Sequence, residues 1–354
     1  MKLFAKEILL ISPENWNELN VSKHHYAIHL AELDNHVYFL NPPSNRYNSS
    51  ESEIHDNITI IDYPGFWPGL RWLPKGVRRW HLKRVLRNIE LIIDANIEII
   101  WSFDNSIFYQ WEKITDKLKI SHIVDLNMDF NFAFAAQGAD ICLSCSHEIV
   151  KRQKRFNSNS FFIQHGYSIR TAEPFDLNRG LNEIKIGYAG NLNIPYIDWD
   201  ILTSAIKELA NTADFYLAGS YNDIPIETQS NVYLLGVLST SELRWFYEQM
   251  DILIIAYDTD KYMQQVSNPH KMLEYLGSGS PIVSTFCSEY IQLDDCICMS
   301  KQKKEWPDKL KHTLHHLEFW NSTEKRQKRI AYAKENSYSN QLKRIESLLD
   351  EFIE

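Results

Sequence analysis

The chain has 354 residues, more than one average domain uses and enough for two of roughly 150–200. Hydrophobic residues make up 44%, which supplies two cores, while a net charge of −9 argues against nucleic acid as the main partner. No apolar stretch approaches the about 20 residues that cross a bilayer, and Lys2 and Lys6 flank only a short run over 8–13, so no secretory signal and a cytoplasmic protein are expected.

Residues 7–12 read as a buried strand, 22–33 as a helix with Tyr26, Ile28, Leu30 and Leu33 among its apolar positions, and 36–40 as a second strand ended by Asn41-Pro42-Pro43. This is the opening β-loop-α-β unit of a parallel doubly wound sheet, whose ligands lie at the carboxyl ends of the strands. The loop over 12–21 lacks G-x-G-x-x-G and so shows no dinucleotide fingerprint. Asn15, Trp16, His24 and His25 nevertheless fall where this architecture lines its cleft, although adjacent histidines at a helix start are commonly just solvated. Further strands are predicted at 57–61, 97–101, 122–125, 140–143 and 161–164, with helices at 76–95, 107–118 and 146–156. Cys142 and Cys145 have Cys-x2-Cys spacing with His147 near, but Cys142 falls on an apolar strand where a reduced thiol is ordinary, and no metal is expected.

Arg71, Lys75, Arg78, Arg79, Lys83, Arg84 and Arg87 follow one another without an acid between them, with Trp72 and Trp80 interleaved and Phe66 and Trp67 just before. In an acidic chain this is a local reversal of sign. It suits the headgroup layer of an anionic membrane, or a lipid-borne diphosphate, and equally a solvated helix face whose tryptophans pack inward. The run from Asp125 to Phe130 follows a strand, which puts Asp125 and Asp129 at the ligand end of the sheet, and Asp104 after the strand ending at Trp101 is placed alike. Each could instead cap a helix.

Residues 168–182, with Pro174, Gly180 and no clear period, read as a linker between domains at 1–167 and 183–338. The second domain opens with a strand over 183–189 running into Gly190-Asn191-Leu192-Asn193, where a glycine lets backbone approach a ligand closely. A helix over 200–209 precedes strands at 215–218, ending at Gly219, and 232–235, ending at Gly236-Val237-Leu238. Ser239 and Glu242 form a capping box for a helix to about Met250. A strand over 251–256 leads into a polar, irregular loop over 257–266, another lies at 281–285, and 301–311 is a charged stretch. The last segment, 339–354, is a helix with apolar Leu342, Ile345, Leu348, Leu349 and Phe352.

The stretch over 267–285 is the most informative. Asn268 is a good N-cap and Pro269 a good first helical residue, Met272, Leu273 and Leu276 recur at helical spacing, and Gly277 and Gly279 are expected to end the run. Its first turn holds His270 and Lys271 and no acid, although a helix N-terminus is already positive, so an anion such as a diphosphate is expected there. Glu274 lies one turn on, placed to accept hydrogen bonds from two ribose hydroxyls. The plainer alternative is a surface helix with a weak Lys271–Glu274 ion pair.

The run from Asn268 to Thr285 resembles the nucleotide-sugar motif of GT-B glycosyltransferases, N-P-x-K-x-x-E-Y-x-x-x-G-x-P-hydrophobic, and within that family looks like bacterial polysaccharide transferases of the teichuronic-acid and xanthan type. The resemblance implies an α/β fold of two Rossmann-like doubly wound domains facing a cleft. It also implies a nucleotide-sugar co-substrate, commonly UDP-linked, with no further cofactor and no metal. Donor-binding residues would be Gly190, Asn191, Gly236, Val237, Leu238, Tyr257, Ser267, Asn268, His270, Lys271 and Glu274, the backbone of 236–238 pairing with the base. A carboxylate would act as general base, Asp129 first and Asp125 second, with Asp104 a third choice. Asn15, Trp16, His24 and His25 would lie on the acceptor side, the final helix would cross back to the first domain, and the acceptor would be a saccharide or lipid-linked hydroxyl of the cell envelope. Residues 66–87 would give peripheral contact with the inner face of the cytoplasmic membrane. Many relatives carry an acid eight positions before Glu274, where this chain has Val266, so inverting and retaining transfer both stay open. A nucleotide-sugar epimerase of the same architecture and a non-catalytic nucleotide-sugar-binding protein are the alternatives.

Overall fold

The computed structural model describes residues 2–18, 21–105, 116–125, 132–168, 171–177, 180–226 and 229–353. It divides into two units, Met1–Gly166 with Tyr338–Glu354, and Tyr167–Ser337.

In chain order the first unit forms β1 (Glu7–Ile11), α1 (Ser22–Ala31), β2 (His36–Leu40), β3 (Asn48–Glu51), β4 (Ile58–Asp62), α2 (Lys75–Ile93), β5 (Ile99–Ser102), β6 (Leu118–Ile123), α3 (Phe132–Gly138), β7 (Ile141–Ser144), α4 (His147–Gln153) and β8 (Ser160–Phe162). The sheet runs β3-β4-β2-β1-β5-β6-β7-β8 and is parallel except for the antiparallel edge pair β3–β4. Along β1 the side chains alternate between two cores. Ile8 and Leu10 pack with Tyr26, Ala27 and Leu30 of α1, while Leu9 and Ile11 pack with Leu82, Val85, Leu86 and Ile89 of α2. With both faces covered, an unbroken apolar run is what such a strand requires. Two features depart from the sequence pattern. β6 begins at Leu118, where the predicted helix over 107–118 ends; Asp116 and Lys117 precede it in a bend, and 107–115 lie outside the described residues. β3 is a strand of polar, exposed residues that no apolar alternation could signal.

The second unit forms β9 (Ile184–Ala189), α5 (Trp199–Glu208), β10 (Ala213–Ala218), β11 (Val232–Gly236), α6 (Thr240–Gln249), β12 (Ile252–Ile255), α7 (Thr259–Tyr262), α8 (Lys271–Ser278), β13 (Ile282–Ser284), β14 (Ile297–Met299), α9 (Trp306–His315), α10 (Leu317–Trp320) and α11 (Thr323–Glu335). The closing helix α12 (Tyr338–Ile353) belongs to the first unit, where Leu342, Ile345 and Leu349 enter the core beside α1. The second sheet is wholly parallel in the order β11-β10-β9-β12-β13-β14, the 3-2-1-4-5-6 winding of a dinucleotide-binding sheet. Its order reverses between β9 and β12, so the loops after these two strands frame the place where such sheets take ligands. Without its edge strands β3 and β8, the first sheet winds the same way and reverses between β1 and β5. Among the described residues no helix is long and apolar enough to cross a membrane.

Candidate functional site

The loop leaving β12 ends in α8, and three contacts hold that helix in place. Its start lies two residues later than the Asn268-Pro269 pattern suggests: His270 is the N-cap with helical backbone, and Met272 N–H bonds the Pro269 carbonyl at 2.9 Å. Only Gly279, in the left-handed region at φ 79°, ends it. Gly277, expected to help end the run, instead lies inside the helix, where a Cβ would stand 2.4 Å from the Tyr167 ring. There Arg244 Nη1 donates to the Tyr167 hydroxyl and, at 3.1 Å, to the Gly277 carbonyl. At the far end the buried Arg329 guanidinium donates to the carbonyls of Gly279 (3.1 and 2.9 Å), Cys296 (3.2 Å) and Trp320 (2.8 Å), a cation set where the helix dipole is negative. The third contact is Tyr275, whose hydroxyl accepts the Ala189 N–H at 3.0 Å and ties α8 to the last residue of β9.

That attachment brings the first turn of α8 to the turn after β9. Lys271 Nζ lies 3.8 Å from the centre of the Tyr188 ring and 5.4 Å from that of Tyr257. A Cβ on Gly190 would be 2.4 Å from the same nitrogen. No carboxylate among the described residues pairs with Lys271, so the Lys271–Glu274 ion pair of a plain surface helix is not formed. Although the residue keeps part of its surface exposed, burial of the ammonium pushes its pKa down to about 7. The aromatic faces offset only part of that desolvation. Beside it, Gly190, Gly219 and Gly236 end the adjacent strands β9, β10 and β11 with φ of 147°, 141° and 69°. Their backbones lie against one another: Gly190 N–H bonds Ala218 O at 2.9 Å, Gly219 N–H bonds Gly236 O at 2.6 Å, and a Cβ on Gly219 would meet Gly190 O at 1.9 Å. The result is a strip of bare backbone with one unpaired cation at its edge, a place suited to an anion.

Other sequence-named residues of this unit fall around that strip. Asn191 is exposed, its Oδ1 accepting from Asn193 N–H (2.9 Å) and Ser220 Oγ (3.1 Å), and Val237 is 63% exposed just past β11, followed by Leu238. Ser267 is buried and donates to Gln264 O at 3.0 Å, Asn268, His270 and Glu274 are half-buried, and Tyr257 is buried with its N–H on Thr285 Oγ1 at 3.0 Å. Sequence reasoning missed Tyr188, Gly219 and Lys303. Lys303 Nζ bridges buried Asp198 (3.0 Å) and Asp258 (2.9 Å), which cap α5 and α7, the first helices after β9 and β12. A single cation thus fastens together the two loops at the switch point.

In the first unit Trp16 is buried against Phe39, with its backbone N–H on Asn41 Oδ1 at 2.9 Å. His24 stacks on Phe39, accepts the Val21 N–H at Nδ1 and places Nε2 3.2 Å from the Asn15 carbonyl, and burial lowers its pKa. His25 is buried and stacks on Tyr338. These residues shape the loop after β1 mainly through packing. Asp104 is buried just beyond β5, at the reversal of the first sheet, whereas Asp125 is exposed beyond β6. Asp129 lies outside the described residues. No group of three or more His, Cys, Asp or Glu side chains among the described residues is placed to hold a metal ion.

The family model for group 1 glycosyl transferases matches residues 183–316. No curated protein matches the chain in sequence. Among solved structures the chain is similar to trehalose-6-phosphate from E. coli bound with UDP-2-fluoro glucose, at TM-score 0.66 and 9% identity over 97% of this chain and 99% of that one. It is similar also to Anabaena Alr3699/HepE in complex with UDP and glucose, at TM-score 0.64 and 11% identity over 98% and 99%. TarM is similar over 71% of this chain and 54% of its own, at TM-score 0.51 and 13% identity. At these identities the likeness to solved structures is one of fold, the GT-B fold of two Rossmann-like units, and the family model for group 1 glycosyl transferases lies within the second unit and covers less than half of the chain.

Proposed function

We propose that this chain is a glycosyltransferase that moves a sugar from a UDP-linked donor to a hydroxyl of a saccharide or lipid-linked acceptor in cell-envelope polysaccharide synthesis, without a metal ion. The observation that carries the reading is the Lys271 ammonium, with no carboxylate partner among the described residues, beside the bare backbone of Gly190. In the reaction the acceptor oxygen bonds to the anomeric carbon as that carbon's bond to the diphosphate breaks. The departing diphosphate takes the electron pair, and its new charge falls to Lys271 and the first N–H groups of α8. Glu274, one turn further along, holds the ribose hydroxyls. Ser267, Asn268 and His270 line the approach to the helix, the Tyr257 ring lies 5.4 Å from the ammonium, and the backbone of 236–238 takes the base. The acceptor's proton goes to a carboxylate of the first unit. Asp104 and Asp125 are the described candidates, and Asp129 keeps its place from the sequence pattern. Asn15, Trp16, His24 and His25 shape the acceptor side. Two of the fold relatives were solved with UDP or a UDP sugar, which supports uridine as the base.

A thermal-shift panel of nucleoside diphosphates and their sugars tests this, because a ligand that prefers the native state raises the melting temperature. UDP and a UDP sugar are expected to give the largest shifts, and incubation with the sugar nucleotide alone is expected to leave the sugar unepimerised. A flat panel would remove the reading.

A further inference from the structure

α2 has two unlike faces. His81, Leu82, Val85, Leu86 and Ile89 are buried on one side. At about 100° per residue, the opposite direction is occupied by Val77, Trp80, Arg84, Arg87 and Leu91, at alternating spacings of three and four. Three of these are large apolar residues in water: Val77 is 37%, Trp80 53% and Leu91 70% exposed. The segment leading into the helix extends the ridge, with Trp67 45%, Trp72 79% and Leu73 38% exposed. Trp67 and Trp80 rings lie 5.9 Å apart, and the Arg84 guanidinium sits 5.5 Å above the Trp80 ring. The tryptophans are therefore on the surface and not in the core, as the solvated-face alternative required.

The charge of this surface narrows what can cover it. Lys75, Arg79, Lys83, Arg84 and Arg87 are exposed, and the helix's one acid, Glu90, is engaged by Lys117 at 2.6 Å. A second copy meeting this face about a twofold axis would set like charges against each other. An anionic bilayer instead offers headgroup charge to the bases and, just beneath, a layer in which indole rings are favoured on both their apolar and their N–H sides. The chain as a whole carries −9, so the remaining surface is repelled by the same bilayer and the contact has one orientation. We propose that the outer face of α2, with Trp67 and Trp72 beside it, is a docking surface for an anionic lipid bilayer, the bases over the lipid phosphates and Trp72 and Trp80 inserted among the headgroups.

Flotation of the full chain with vesicles tests this without any nucleotide, so its outcome is separate from that of the donor site. Binding is expected to vesicles containing phosphatidylglycerol but not to pure phosphatidylcholine, and to fall away by about 0.5 M salt. Arg84→Glu with Arg87→Glu, and separately Trp72→Ala with Trp80→Ala, should each weaken partitioning by more than about tenfold while the far-UV spectrum and melting temperature stay near wild type. Four results would overturn the proposal: no flotation with the anionic vesicles at low salt, equal flotation of both variants, tighter binding to a single-stranded RNA than to the vesicles, or a solution dimer that Trp80→Glu dissolves.

Discussion

The Nζ of Lys271 occupies the space that a side chain on Gly190 would fill, 2.4 Å from where its Cβ would stand. The turn after β9 therefore has to be a glycine both for its φ of 147° and for the neighbour it accommodates. Gly190→Ala is expected to cost roughly 1–3 kcal/mol in urea unfolding and to weaken UDP binding about tenfold by displacing the ammonium. Gly219→Ala should be worse than Gly190→Ala, because there the obstacle is the Gly190 carbonyl at 1.9 Å and not the end of a flexible side chain.

Lys271 also makes the site sensitive to pH. In the unfolded chain a lysine keeps its proton to about pH 10.4. In the fold, burial brings this one to about 7. Between those values the unfolded state binds more protons, so this group makes the ligand-free protein more stable as pH rises through that window. A bound diphosphate restores the charged form, so binding above pH 7 should take up close to one proton and weaken as pH rises. Titration calorimetry in two buffers of different ionisation enthalpy at pH 8.5 measures this, and identical heats would mean the ammonium is not at the ligand.

Lys303 joins Asp198 and Asp258, and Lys303→Met would leave the buried Asp198 carboxylate without its cation and Asp258 with Lys261 alone, at 3.1 Å. The expected loss is roughly 2–3 kcal/mol, below the ~3–5 of a fully buried pair because 27% of the lysine side chain is exposed. Chemical denaturation of the variant beside wild type at pH 7 reads the loss, and an unchanged midpoint would mean the bridge contributes nothing.

Arg244 holds the Tyr167 hydroxyl and the Gly277 carbonyl with one guanidinium nitrogen. Arg244→Ala is expected to lower the urea midpoint by an amount equal to roughly 1–3 kcal/mol, and Arg244→Lys to recover little, since the other edge of the guanidinium holds Glu248 Oε1 through Nε and Nη2, each at 2.7 Å, and an ammonium lacks the planar fork that serves both sides at once.

Much of the fold could be read from residue pattern because its strongest signals are local. Ser239 and Glu242 bond each other's backbone N–H at 3.3 and 2.7 Å as a capping box should, and the apolar run of β1 reflects a strand covered on both faces. β3 escaped notice because its four residues are polar and exposed, and only main-chain pairing with β4 makes them a strand. The start of β6 was hidden because Leu118 fits a helical period as well as a strand. At the site, the Asn-Pro-x-Lys spacing points to Lys271, and a glycine after a strand points to Gly190. Their meeting depends on Tyr275 reaching β9, which no spacing expresses. Lys303 sits in a charged stretch where a surface lysine is the ordinary reading, and its importance comes from aspartates distant in the sequence.

Calorimetric titration of UDP into the protein at pH 7, wild type beside Lys271→Met, tests the central claim most directly. The wild type should bind, and the variant should bind roughly 10- to 100-fold more weakly while its ligand-free form melts no lower, since an ammonium without an ionic partner has been replaced by an apolar chain of similar length. Equal affinity in the two proteins, or no heat from either, would contradict the assignment of the α8 amino end as the diphosphate site.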